Sequence, residues 1–183
     1  MTTTTDTLSL SDTAYFAFSD IILTATMSQV EAASVWYFEA QEVAEDVAEN
    51  MGASLEIGAS IVSAFSPRNR WSNNVMQALA FSMNKPVSGL GNNIRMAQDA
   101  MVLGFDALKG LKTNAFARAI AGDTDAVVID VWMMRAAGMD TDSPNKGQYL
   151  ALSDAVRKVA NDHGISPRTA QALIWIIVRG SAN

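Results

Sequence analysis

Helix start and stop signals follow one another along this chain, and nowhere between them do apolar and polar residues alternate with the period of two that a half-buried strand requires. Ser28-Gln-Val-Glu31 has the form of a capping box and predicts a helix running toward Met51 and closing before Gly52. Glu39, Glu42, Glu45, Asp46 and Glu49 fall at helical spacing within it and read as a solvated face. A second, apolar helix is expected over Ser54 to Ala64, and the polar, basic stretch Ser66-Pro-Arg-Asn-Arg-Trp71 leads into a third that reaches Met83. Pro86 and Gly89-Leu-Gly91 interrupt the chain, after which Asn92 or Asn93 is the expected cap of a helix to about Leu103. Asp106 is expected to cap a short turn, Ala107-Leu-Lys-Gly110.

Leu111 to Ala121 reads as an amphipathic helix with Leu111, Ala115, Phe116, Ala119 and Ile120 on one face, ended by Gly122. Ala126 to Ile129 is short, apolar and extended in character, and Asp130 then caps a helix through Ala137. After a loop over Gly138 to Gly147, helices over Tyr149 to His163 and Pro167 to Arg179 close the chain. Ser166-Pro167 is a strong start for the last, since serine caps and proline fits the first helical position. The expectation is an all-α fold, one helical domain over residues 8–183, preceded by a disordered threonine-rich segment of seven residues.

Chemistry is narrowed by what is missing. The chain has no cysteine and one histidine, which removes disulfides, zinc fingers, iron–sulfur clusters and thiol nucleophiles. It also removes the paired Glu-x-x-His ligands of a di-iron bundle. His163 sits beside a helix end at Gly164, where a cationic ring suits the dipole, and reads as structural. Asp123-Thr-Asp125 is turn chemistry before it is a metal site, and no metal or cofactor is expected. No apolar run approaches the length of a membrane span, and no basic residue opens a secretory signal, so a cytoplasmic protein is expected. Charge is uneven: residues 1–66 carry ten acidic residues and no lysine or arginine, whereas residues 67–183 carry a net charge of +4. An overall net charge of −6 disfavours nonspecific nucleic-acid affinity, so any such affinity must come from a local basic face in the second part.

One segment carries a resemblance. Leu108-Lys-Gly-Leu-Lys112-Thr113, then Phe116, Gly122, Val127-Val-Ile-Asp130 and Arg135, resembles the core of the helix-hairpin-helix DNA glycosylase superfamily, in its endonuclease III-like branch. Those members carry a glycine-bearing hairpin, a Lys-Thr pair opening a helix, an apolar segment, an Asp 18 residues after the Lys, and an Arg one turn further; the spacing from Lys112 to Asp130 is the same. Upstream, Ile61-Val-Ser-Ala64 with Asn74 is similar to the family helix that leads into the DNA-facing pocket, and Gly89 to Ala97 is similar to the segment before the hairpin. The stretch Ser66 to Trp71 resembles that of small phage-encoded proteins, which would place the chain in a host cytoplasm. The hairpin Gly110-Leu111-Lys112 is shorter than the family's, and Trp132 stands where the family often has His.

The resemblance implies a base-excision enzyme with DNA as its partner, Asp130 and Lys112 catalytic, and possible lyase action through Lys112. Gly110, Leu111 and Thr113 would bind DNA at the hairpin, and Trp132 and Asn74 would form the base pocket. Arg68, Asn69 and Arg70 are candidate phosphate or base contacts. Physically, a turn before a helix N-terminus offers free N–H groups to a phosphate oxygen, with glycine allowing close approach. A desolvated lysine amine can attack the sugar C1′ of a flipped nucleotide, and a carboxylate can take its proton or stabilise the developing cation. Two other outcomes share this pattern: action on a hypermodified base without excision, and a non-catalytic DNA- or protein-binding member.

Overall fold

A computed structural model describes residues 9–141 and 143–180, so the expected disorder of the first seven residues lies outside the described residues. The described residues form nine α-helices and no strand: α1 (Leu10–Leu23), α2 (Met27–Met51), α3 (Leu55–Ala64), α4 (Trp71–Ser82), α5 (Gly91–Leu103), α6 (Leu111–Ile120), α7 (Val131–Ala136), α8 (Lys146–His163) and α9 (Pro167–Arg179). Among the described residues, one 3-10 turn, Gly104–Ala107, follows α5, and residues 108–110 lead from it into α6.

Helix α3 is the centre, with every residue from Gly58 to Ala64 buried. It packs against α2, α5 and α6, while α9 packs against α2, α7 and α8, and α1 lies along α8. The approach of α2 to α3 depends on Gly58, where an added Cβ would collide with the Ala44 carbonyl. Phe18, Ile61, Phe65, Ile120, Ile129, Met133, Leu152 and Ile174 are among the largest fully buried side chains, and they belong to one continuous apolar cluster. Among the described residues, no helix is long and apolar enough to cross a membrane.

Several boundaries are set by the residues that the sequence nominates: Ser54 caps α3, Asp130 caps α7, Ser166 caps α9, and Gly52 and Gly164 close α2 and α8 in the left-handed conformation. Others differ. The capping box of α2 is Thr26 with Gln29, two residues before the expected Ser28 and Glu31, so Ser28 lies inside the helix. Neither Asn92 nor Asn93 caps α5: Leu90 is the cap without a side-chain bond, and the buried Asn93 amide instead donates to the Pro67 carbonyl (3.1 Å). Asp106 lies within the 3-10 turn and caps nothing. Helix α8 starts at Lys146, not Tyr149, because Asn145 and Gln148 form a second capping box. Ala126 to Ile129 is buried, as its apolar composition predicts, and belongs to no helix or strand.

Candidate functional site

The buried run before α7 is held by Tyr149. Its buried hydroxyl donates to the Val127 carbonyl (2.8 Å) and accepts from the Ile129 amide (3.4 Å), and it also lies 3.4 Å from the Leu111 carbonyl in the first turn of α6. One phenol thus ties α6 to the segment that delivers Asp130. Burial pushes the Tyr149 hydroxyl up to about 12.

Asp130 follows at the N-cap of α7. Its Oδ1 accepts from the Trp132 amide (2.9 Å) and the Met133 amide (3.1 Å), and its Oδ2 accepts from the Trp175 indole Nε1–H (3.0 Å). Two donors fill Oδ1, while Oδ2 keeps one lone pair beyond the indole bond. The carboxylate therefore has a fixed orientation set by two helices.

Around Asp130 opens a cleft of about 750 Å³. Its walls are aromatic: Trp36 from α2, Trp71 at the start of α4, Phe116 of α6 and Trp175 of α9 form one group, with Trp36 centroids 5.4, 5.9 and 5.8 Å from those of Trp71, Phe116 and Trp175. Trp132 stands on the α7 side, with the Arg135 guanidinium 4.8 Å above its ring, so Arg135 is engaged with a neighbour. All four tryptophans of the chain line the cleft. The cleft's charged lining residues are Arg68, Arg70, Lys112, Arg179 and the one carboxylate of Asp130. In a chain of net charge −6, this is the local basic surface that binding to phosphates requires. None of the four cations pairs with a carboxylate among the described residues.

Two polar atoms on the walls lack partners. Asn74 is 2% exposed and its Oδ1 accepts no hydrogen bond; the buried Ser66 Oγ likewise has none. A buried, unpaired acceptor carries a desolvation cost that a ligand donor would relieve. Deeper still, the Tyr37 hydroxyl donates to Gln171 Oε1 (2.7 Å), and burial raises its pKa.

The residues that the sequence nominates converge to a large extent. Lys112, Asp130, Gly110, Leu111, Arg68, Asn69, Arg70, Asn74 and Trp132 all line this cleft, although they are scattered over four segments. Thr113 does not; its hydroxyl donates to the Gly110 carbonyl (3.0 Å) within the first turn of α6. Asn69 lines the cleft but is committed to the loop, donating to Phe65 O and Gln77 Oε1 and accepting from Asn73. Lys112 is exposed at the cleft. Gly110, the N-cap of α6, has an ordinary extended backbone and offers no side chain to the first-turn N–H groups. Asp123 accepts from the Asp125 amide in a local turn.

Sequence reasoning does not place Trp36, Trp71, Trp175, Gln171 or Arg179 at the cleft. The signal for Trp36 was masked by the acidic residues of its own helix, which mark α2 as a solvated element.

Comparison with known proteins gives one match. Residues 3–182 match a family of unknown function, DUF7178. The chain belongs to this family. Neither a curated protein nor a solved structure matches it. For this DUF7178 protein, the chemistry therefore has to be argued from the cleft itself.

Proposed function

We propose that the cleft receives a nucleobase turned out of a nucleic-acid strand, and that the protein is a DNA glycosylase-like enzyme with Asp130 as its essential carboxylate. The observation that carries this reading is the coincidence in one cleft of aromatic walls, four cations with no carboxylate partner among the described residues and a single oriented carboxylate. Aromatic faces accept any base by stacking, and cations hold the flanking phosphates. The succession of α5, a 3-10 turn, a short hairpin and an uncapped α6 supports the helix-hairpin-helix comparison.

In this reaction the C1′–N bond breaks, the base leaves with the bonding electrons and takes a proton, and water adds at C1′. The Asp130 carboxylate stabilises the positive charge that develops on the sugar. Lys112 at the cleft is the group placed for a lyase branch, in which its amine replaces water at C1′ and forms a Schiff base.

The test is a panel of duplex and single-stranded oligonucleotides bearing damaged, mismatched and modified bases. Abasic sites are read by hot-alkali cleavage, with a parallel borohydride trap. The expected result is alkali-dependent cleavage lost in Asp130→Asn, and any trapped adduct should disappear in Lys112→Ala. Activity undiminished in Asp130→Asn would refute the assignment.

A second reading has one observation in its favour. Three donors already occupy the Asp130 carboxylate, as suits a cap and a strut in a member that binds DNA or protein without chemistry. It predicts no cleavage on any substrate and a salt-dependent binding isotherm that Lys112→Ala and Asp130→Asn leave in place. An altered nucleoside by mass spectrometry, without abasic sites, would instead indicate modification of the base.

A further inference from the structure

Beside the aromatic cleft lies a smaller recess of about 450 Å³, lined by Arg70, Trp71, Ser72 and Arg179. It shares Arg70, Trp71 and Arg179 with the cleft, so the two spaces are contiguous. Its charged lining is two arginines with no acidic residue. Neither arginine has an ion-pair or hydrogen-bond partner among the described residues; Arg179 only stacks on Trp175, with its guanidinium 4.6 Å from the ring centroid.

Backbone adds to this. Arg70 is the N-cap of the twelve-residue helix α4 and gives it no side-chain cap bond. The N–H groups of Trp71, Ser72 and Asn73 are therefore without intrahelical acceptors, at the positive end of the helix dipole. The same helix, one turn on, presents the buried and unpartnered Asn74 Oδ1 to the cleft. One helix thus offers an anion site at its end and an orphan acceptor just inside.

We propose that this recess is a phosphate subsite, and that cleft and recess together take one nucleotide unit: a base with an N–H donor turned toward Asn74, and its attached phosphate between Arg70 and Arg179. The inference rests on the reading of the cleft as a base site. It goes beyond that reading by assigning the phosphate to a recess lined by Arg70 and Arg179 and not by the first turn of α6. Guanidinium groups suit a phosphate because their planar N–H pairs match two of its oxygens. Trp71, common to both spaces, is the wall between base and phosphate.

The full chain is titrated with nucleoside 5′-monophosphates, nucleoside 3′-monophosphates, the matching neutral nucleosides and a dinucleotide with an internal phosphodiester. Since every tryptophan lines the cleft, intrinsic fluorescence reports occupancy directly, and calorimetry supplies an independent Kd. Charge-assisted bonds from two arginines should make a phosphorylated ligand bind about tenfold to a hundredfold tighter than its nucleoside. In Arg70→Gln and Arg179→Gln the ratio of the two Kd values should collapse toward one. Loss of the advantage for the monophosphates identifies a free nucleotide as the source of the phosphate, and loss confined to the dinucleotide identifies a strand; either supports the subsite. Equal affinity of nucleoside and every phosphorylated ligand in the unaltered protein would overturn it. So would an advantage that survives both substitutions. Because the readout is binding, a silent glycosylase panel leaves this inference standing, and cleavage in the panel with no phosphate advantage here removes this inference alone.

Discussion

Asp130→Asn is the natural probe of a catalytic carboxylate, but in this fold it also perturbs stability, by an amount that can be worked out. Asparagine caps a helix about as well as aspartate, so its Oδ1 can keep the two amides of Trp132 and Met133. The second oxygen becomes an amino group that faces the Trp175 indole N–H, which now lies 3.0 Å from an acceptor. Donor meets donor, and a charge-assisted bond of about 1.5–3 kcal/mol is lost. Removal of the charge from the N-terminus of α7 adds about 0.3–1 kcal/mol. The expected cost is therefore about 2–4 kcal/mol, measured by urea unfolding followed by circular dichroism. Trp175→Phe removes the donor, and in that background Asp130→Asn should cost only about 0.5–1 kcal/mol. The coupling between the two sites should be about 1.5 kcal/mol or more. Additive penalties would refute the claim that the indole bond orients the carboxylate. Loss of activity in Asp130→Asn is accordingly assigned to chemistry only when Trp175→Phe, which forfeits the same bond, retains turnover.

Tyr149→Phe should destabilise the protein by about 1–2 kcal/mol in the same assay, since it strands the buried Val127 carbonyl and Ile129 amide. Because burial raises the hydroxyl from 10.0 to about 12, its contribution is fully present below about pH 10 and is lost as pH rises through 12. Thermal melts from neutral to strongly alkaline pH should show that fall, and Tyr149→Phe should flatten part of it; an unchanged alkaline limb would argue against a buried phenol. Gly58→Ala should lower stability by about 1–3 kcal/mol or more, because its methyl group meets the Ala44 backbone rather than a side chain that can move. A melting temperature equal to that of the unaltered protein would mean that α2 and α3 are not in close contact.

Much of the helical order was legible because it is written in local chemistry. Ser54, Asp130 and Ser166 each cap the helix that they precede, and Gly52 and Gly164 end theirs in the left-handed conformation. Where local signals compete, the sequence does not decide: Thr26-x-x-Gln29 and Ser28-x-x-Glu31 both have the form of a capping box, and the helix starts at the first. Asn93 was misread for the same reason, since a good cap residue is also a good buried amide when a carbonyl such as that of Pro67 is in reach. Lys112 and Asp130 were legible as candidates through the resemblance, and both line the cleft. Their aromatic surroundings were not, because Trp36, Trp71 and Trp175 come from three helices whose meeting no local pattern encodes.

The cleft draws its walls from α2, α4, α6, α7 and α9, and it therefore exists only when those helices are assembled. No single helix retains a binding surface of this kind, so occupancy and global folding are thermodynamically linked. A molecule that fills the cleft at a hundred times its Kd should stabilise the assembled chain by about 2.7 kcal/mol. At this chain length that amounts to a rise in Tm of roughly 5–10 °C. A thermal-shift survey thus reads ligands for this protein without any assumption about what it does to them.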